Sequence, residues 1–211
     1  MASRLLPLFP LSVVLLPGTP LPLHIFEERY KQMMSDIVPE HAEFGVVLVK
    51  GEGIVNIGCA ATVDRVLQRY PDGRLDLIAM GQRRFRILSL DSDMAYLRGE
   101  VEFFNDESAE DVPPELRQKA ISAYSKLLQV ESPELVADPR LDAPQLSFQL
   151  AQALSDLDKR QSLLTLRSET ERLQFLLAIL PEYTIQRERI ATAKRLAPTN
   201  GHAKHVRIQD S

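Results

Sequence analysis

Residues 57–80 read IGCAATVDRVLQRY, then PDG, then RLDLIAM. Two runs rich in β-branched and aliphatic residues flank Pro71-Asp72-Gly73. Proline presets φ for a turn and glycine accepts a positive φ, so the stretch predicts a β-hairpin. Strand signals continue on both sides of it. Phe44 to Val49 is a compact apolar run that fits a buried strand. Arg83 to Leu90 and Tyr96 to Phe104 extend the set towards the C-terminus. Towards the N-terminus, Leu5 to Leu11 and Val13 to Leu16 read as short buried strands, and Leu21 to Phe26 as another extended segment. Prolines confine the first of these to edges or strand ends. The sum is a mostly antiparallel sheet of about six strands, curled into a partly closed barrel. One helix interrupts it. Phe26, Tyr30, Met33, Met34 and Ile37 fall at spacings of three and four, which predicts a helix over 27–38. Glu27 and Glu28 in its first turn complement the helix dipole.

The character changes near residue 105. Asn105 to Asp111 carries Asp106, Glu107, Glu110 and Asp111 and reads as a solvated linker, closed by Pro113-Pro114 at a helix start. Helical periodicity follows. Leu116, Ala120, Ala123, Tyr124 and Leu127 form one stripe, and Leu146, Leu150, Ala153, Leu154 and Leu157 another. Asp158 with Gln161, and Ser168 with Glu171, have the spacing of capping pairs. Pro181 predicts a kink or interruption in the last helix, which resumes with Ile185, Ile190 and Ala193. The expected fold class is therefore α+β. A β-barrel subdomain over 1–105 carries one helix, a C-terminal helical bundle spans 112–197, and a disordered tail covers 198–211.

The chain has 211 residues, 45% hydrophobic and 26% charged, with a net charge of −4. That is the composition of an ordinary globular protein and not of a basic nucleic-acid binder. A single cysteine, Cys59, rules out an internal disulfide and a cysteine-rich zinc module. The apolar start after Arg4 resembles a signal peptide, but prolines interrupt it and Pro17-Gly18-Thr19-Pro20 is a poor cleavage context. The run is too short to span a bilayer, so a cytoplasmic protein with no membrane contact is expected.

Catalytic signatures are missing. No glycine precedes a lysine, so there is no Walker A loop, and no G-x-S-x-G elbow occurs. Gly51, Gly53 and Gly58 suggest a dinucleotide turn, but the third glycine of that pattern would fall on Asn56. Cys59 lies inside a predicted strand and reads as a buried, unreactive thiol. His202 and His205 would form an incomplete zinc site, and His24 and His41 are isolated. No catalytic residue, metal or cofactor is expected. Arg65, Arg69, Arg74, Arg83, Arg84 and Arg86 form a basic interval, read here as a solvated face of the sheet.

Several ordered motifs resemble the amino-terminal substrate-binding domain of Lon proteases, above all its short free-standing bacterial form. They begin with Leu8-Phe9-Pro10-Leu11, Leu16-Pro17-Gly18 and Pro22-Leu23-His24-Ile25-Phe26-Glu27-Glu28-Arg29-Tyr30. Phe44-Gly45-Val46-Val47, Ile57-Gly58-Cys59-Ala60-Ala61, Asp72-Gly73-Arg74 and Gly81-Gln82-Arg83-Arg84-Phe85-Arg86-Ile87 continue the series. Lys159-Arg160-Gln161-Ser162-Leu163-Leu164 and Glu171-Arg172-Leu173 close it, so that the resemblance covers residues 4–195.

The resemblance implies a PUA-like barrel followed by a helical bundle. It also implies a module that binds unfolded or apolar polypeptide segments. The chain stops before the ATPase and Ser–Lys protease domains of a full Lon protease, so no peptidase activity is assigned. Two binding modes are open, strand addition at a sheet edge or an apolar segment in the groove between barrel and helices; missing proline donors favour the groove. Leu23, Ile25, Phe26, Tyr30 and Met33 are the candidate contacts, with Glu27 and Arg29 at the rim. The bland alternative is that the apolar ones are core. Other readings are an RNA-binding PUA-like protein, or an adaptor that delivers clients to a separate protease or chaperone. The acidic net charge opposes the nucleic-acid reading.

Overall fold

The computed structural model describes residues 5–107, 112–130 and 138–196. The predicted tail and its two histidines lie outside the described residues, as do the N-terminal four and part of the seam. Seven strands are β1 (Leu6–Leu11), β2 (Pro20–Ile25), β3 (Phe44–Lys50), β4 (Gly53–Ile54), β5 (Ile57–Arg69), β6 (Leu75–Asp91) and β7 (Arg98–Phe104). Helix α1 (Glu28–Ile37) lies between β2 and β3. Helices α2 (Pro114–Val130), α3 (Leu146–Leu150), α4 (Leu157–Thr165) and α5 (Glu169–Leu196) follow the sheet. The fold is mixed α/β, with a mostly antiparallel sheet and the other helices segregated behind it.

The hairpin forms where expected. Gly73 donates to the Tyr70 carbonyl at 3.0 Å and adopts φ +85°, and Tyr70 N–H reaches the Arg74 carbonyl at 2.9 Å. That is a tight loop ending in a left-handed glycine. The segments 74–80 and 83–90, expected as two strands, are one 17-residue strand, β6. It is long enough to pair with β5, β2 and β7 at different points. The pairing path β1-β7-β6-β5-β3 returns to its start, because β3 also pairs with β1, in parallel.

β1 is thus an interior strand and not an edge, and its two prolines stand near its ends, the other position expected for them. Leu8 N–H points to Leu97 on the β7 side, so alternation turns the Pro7 nitrogen towards β3 and the Pro10 nitrogen towards β7. Pairing with β3 begins only at Leu8, and pairing with β7 involves only Leu6 and Pro7. Each proline nitrogen therefore faces a side where no partner strand runs. Val13 to Leu16, expected as a strand, is an irregular loop, three of whose residues are buried.

In α1, Tyr30, Met33, Met34 and Ile37 are buried as the period predicts, but Phe26 precedes the helix and is 59% exposed. The stripe from Leu146 to Leu157 is not one helix. The chain leaves α3 through a 3₁₀ turn, is extended at Leu154 (ψ 127°), and restarts as α4. Asp156, not Asp158, caps α4 by accepting from Lys159 N–H at 3.0 Å. Ser168 caps α5 by accepting from Glu171 N–H at 3.3 Å. α5 runs through Pro181 without interruption. The proline costs one bond, to the Leu177 carbonyl, and Thr184 Oγ1 adds a separate one to the Leu180 carbonyl at 2.8 Å.

One apolar cluster unites the two halves. It includes Phe9, Met33, Phe44 and Leu77 from the first part and Tyr124, Phe148, Leu164 and Leu176 from the second. A smaller cluster of Leu6, Leu8, Val47, Ala60 and Phe85 lies on the other side of the strands.

A polar junction also joins the halves, and it corrects two expectations. Arg84 is not on a solvated face but 2% exposed, and Asp106 is not in a solvated linker. Arg172 of α5, fully buried, donates to both Asp106 oxygens at 2.7 Å and to Glu169 at 2.8 Å. Arg84 of β6 pairs with the same Asp106 and donates to the Leu164 and Leu166 carbonyls. Glu169 in turn accepts from Ser147 N–H and Oγ at 2.8 and 2.6 Å. Two cations meet two carboxylates, so the buried charges balance. The Phe148 ring lies 4.4 Å below the Arg172 guanidinium.

Candidate functional site

The seven candidate contacts separate by burial. Ile25, Tyr30 and Met33 are core residues, 1%, 6% and 0% exposed, and hold the β2–α1 corner from inside. Leu23 is half-buried against the same core. Phe26, Glu27 and Arg29 face solvent. Phe26 stacks on His24 at 5.8 Å, and Glu27 accepts from Arg29 at 3.0 Å. The Arg29 guanidinium lies 4.5 Å over the Tyr30 ring.

His24 Nδ1 bonds Asp76, whose other oxygen accepts from Tyr70 Oη at 2.7 Å. The hydrogen bonds from His24 and Tyr70 hold the Asp76 carboxyl below its usual range. Asp76 is the only described hydrogen-bond partner of His24, so no nucleophile is aligned with this pair.

A groove between sheet and helices is present, but the seven candidates do not line it. Its volume is about 470 Å³. Pro20 of β2 and Ile78, Met80 and Gly81 of β6 form one wall, and Arg140, Gln149 and Gln152 the other. Gln149, 3% exposed, fixes that second wall. Its amide donates to the Gly18 carbonyl at 3.0 Å and accepts from Arg140 N–H at 3.2 Å. The floor depends on a close approach: Gly18 N–H donates to Gly81 at 2.8 Å and Gly81 N–H to Thr19 at 3.0 Å. A side pocket of about 120 Å³ shares Pro20 and Gln152 with the groove. It is walled by Val13–Leu16 and Thr19–Pro22 and ends at Arg160. The sequence marked Arg160 only as part of the Lys159–Leu164 motif, and nothing in its local pattern sets it apart from a surface arginine.

β2 pairs with β6 alone among the described residues. The register requires Leu21, Leu23 and Ile25 to donate to β6, since Pro20 and Pro22 cannot. The open edge therefore presents the two proline positions and the N–H of His24 alone, a poor template for strand addition.

The basic interval is largely neutralised. Arg83 pairs with Glu43 at 2.6 Å, Arg74 with Asp72 at 2.7 Å and Arg86 with Glu102 at 4.0 Å, besides Arg84 with Asp106. Among the described residues no group of three or more His, Cys, Asp or Glu could hold a metal, and no helix is long and apolar enough to cross a membrane.

Cys59 is fully buried, and burial pushes its thiol up to about 12. The native protein should therefore resist a thiol-specific reagent at pH 8. The expected rate is on the order of 10³-fold below that of the urea-unfolded chain, since the thiolate is the reactive form. Comparable rates in the two states would show that the thiol is accessible.

The model of the ATP-dependent protease La (LON) substrate-binding domain matches residues 5–182. The Lon protease of Parabacteroides distasonis is 28% identical over 146 residues, 65% of this chain and 17% of that protein. The Lon protease of Cytophaga hutchinsonii is 23% identical over 198 residues, 83% of this chain and 24% of that protein. The chain thus spans about a quarter or less of these curated relatives. The crystal structure of a Lon N-terminal domain protein from Xanthomonas campestris superposes with a TM-score of 0.67 at 31% identity, covering 83% of this chain and 98% of that one. The N-terminal domain of the Mycobacterium avium complex Lon protease has the same fold, with a TM-score of 0.60 at 18% identity, covering 85% and 100%.

Proposed function

The chain belongs to the LON substrate-binding domain family, and from that premise we propose that it is a non-catalytic module that holds apolar segments of unfolded polypeptides. The family match over residues 5–182 carries this reading. The groove supports it. Pro20, Ile78 and Met80 offer apolar contact, and the half-buried Gln152 lines the facing wall. In this reading the closed ring of strand pairings is a PUA-like barrel, and the helices after residue 112 form a bundle that supplies the second wall. Pro20 is six residues from Phe26, or roughly 20 Å along an extended strand. A client leaving the groove along β2 then meets Leu23, Phe26, Glu27 and Arg29 as outer contacts, with Ile25, Tyr30 and Met33 supporting them from the core. A separate protease or chaperone that receives the client belongs to the same reading. The RNA alternative is disfavoured by the ion pairs that occupy most of the basic interval.

The test is fluorescence anisotropy of the purified protein with a labelled, permanently unfolded polypeptide and with a mixed RNA pool, each at low and high salt. The polypeptide should bind at both salt levels and the RNA at neither. Phosphate contacts would instead weaken steeply with salt. Salt-sensitive RNA binding without polypeptide binding would overturn the proposal.

A further inference from the structure

We propose that the side pocket at Arg160 receives the C-terminal carboxylate of the bound polypeptide, with the last residue's small side chain against Val13, Leu15 and Leu21. This rests on the polypeptide-binding reading and names the chemistry of its recognised end.

Among the described residues Arg160 has no counter-ion: no carboxylate pairs with it, and the nearby Asp156 is engaged by Lys159 at 3.5 Å. Its one acceptor is the Gln152 carbonyl, 2.6 Å from Nη2. Nε is buried and has no partner at all. An arginine carries five donors and stays charged under all ordinary conditions, so this group is left short of acceptors. A half-buried guanidinium with no acid beside it offers an incoming carboxylate a charge-assisted, bidentate contact. Contrast Arg84 and Arg172, which lie deeper than the half-buried Arg160 and share Asp106 and Glu169.

The pocket's size and position select the ligand. At about 120 Å³ it is far smaller than the groove it adjoins. A cavity of roughly 150 Å³ holds a benzene-sized group, so one small residue is what fits. Its walls are aliphatic, with Thr19 and Gln152 as polar exceptions. A chain end brings a carboxylate directly to the guanidinium, in the geometry that arginine recognises best. The shared residues Pro20 and Gln152 let the rest of the chain run on into the groove.

The test uses one short apolar peptide ending in alanine, labelled at its N-terminus and made as free acid and as C-terminal amide. A third version, also an amide, ends in glutamate and carries its carboxylate on a side chain. The free acid should bind the wild-type protein about tenfold more tightly than either amide, the gain of one charge-assisted contact. Arg160→Gln should lower the acid to the affinity of the amide and leave the amide unchanged. Arg160→Lys, which keeps the charge and loses the fork, should fall between. Equal binding of acid and amide by the wild type would overturn the pocket and leave polypeptide recognition standing. Equal binding of the acid and the glutamate amide would overturn the chain-end assignment. If neither these peptides nor the long unfolded polypeptide binds, the reading under Proposed function fails, and this one with it. The wild-type comparison needs no variant to fold.

Discussion

Replacing Asp106 by asparagine is expected to destabilise the protein by about 3–5 kcal/mol in urea denaturation, the cost of removing one partner from a buried ionic cluster. Asp106 is the carboxylate that joins β6 to α5, since it takes Arg84 on one oxygen and Arg172 on both. Asparagine keeps the shape but removes the charge and turns an amide donor towards guanidinium donors. Arg84 is then left without a carboxylate, while Arg172 keeps Glu169. The double variant Asp106→Asn, Arg84→Met should be more stable than Asp106→Asn alone, because it removes the cation left without a carboxylate and keeps Arg172 paired with Glu169. A double variant as unstable as the sum of its parts would show that the cluster is not coupled.

The same cluster gives an acid dependence with a defined sign. Burial alone would raise the Asp106 carboxyl, but the hydrogen bond from Arg172 and the charges of Arg172 and Arg84 outweigh it and hold the group below the usual carboxylate range. A depressed folded-state value means that the unfolded chain binds the proton first. The contribution of Asp106 is therefore complete above about pH 4 and is lost as pH falls below that. Stability measured from pH 6 downwards should show this loss in the wild type, and a smaller one in Asp106→Asn.

Gly81→Ala should cost about 3 kcal/mol, at the upper end for overpacking a well-filled interior. A Cβ at this position would lie 2.2 Å from the Leu16 carbonyl oxygen and 3.0 Å from its carbon. Backbone cannot rotate away as a side chain can, and both neighbouring hydrogen bonds, Gly18 to Gly81 and Gly81 to Thr19, would stretch. The variant should also lose polypeptide affinity, because the same approach lays residues 16–20 against β6 as the groove floor. Gly53→Ala is the control. Nothing lies within 4 Å of its Cβ position, and its stability should stay within about 0.5 kcal/mol of wild type. A Gly81→Ala protein as stable as this control would show that the loop does not need the close contact.

Local signals were legible wherever their physics is local. Pro71-Asp72-Gly73 made the hairpin, the Tyr30–Ile37 spacing made the buried face of α1, and Ser168 with Glu171 capped α5. The change from strands to helices near residue 105 was equally plain, and the ordered motifs pointed to the LON substrate-binding family before any coordinate was known. The hairpin, the helix face and the cap each depend on residues within a turn or two of one another, where backbone sterics and hydrogen-bond reach decide the outcome.

What only the tertiary structure decided lies across long separations. Arg84 read as one of six exposed arginines until folding placed it beside Asp106 and the Leu164 carbonyl, 80 residues away. Asp106 looked solvated because no local rule brings α5 against the end of β7. Nor did periodicity show that β1 would pair in parallel with β3, that Phe26 would fall outside the core, or that Arg160 would stand half-buried beside Gln152 with no acid among the described residues. Periodicity and capping belong to the chain itself. Burial and charge pairing belong to the closed sheet and the helices packed on it, since the counter-charge and the excluded water exist only once distant segments have met.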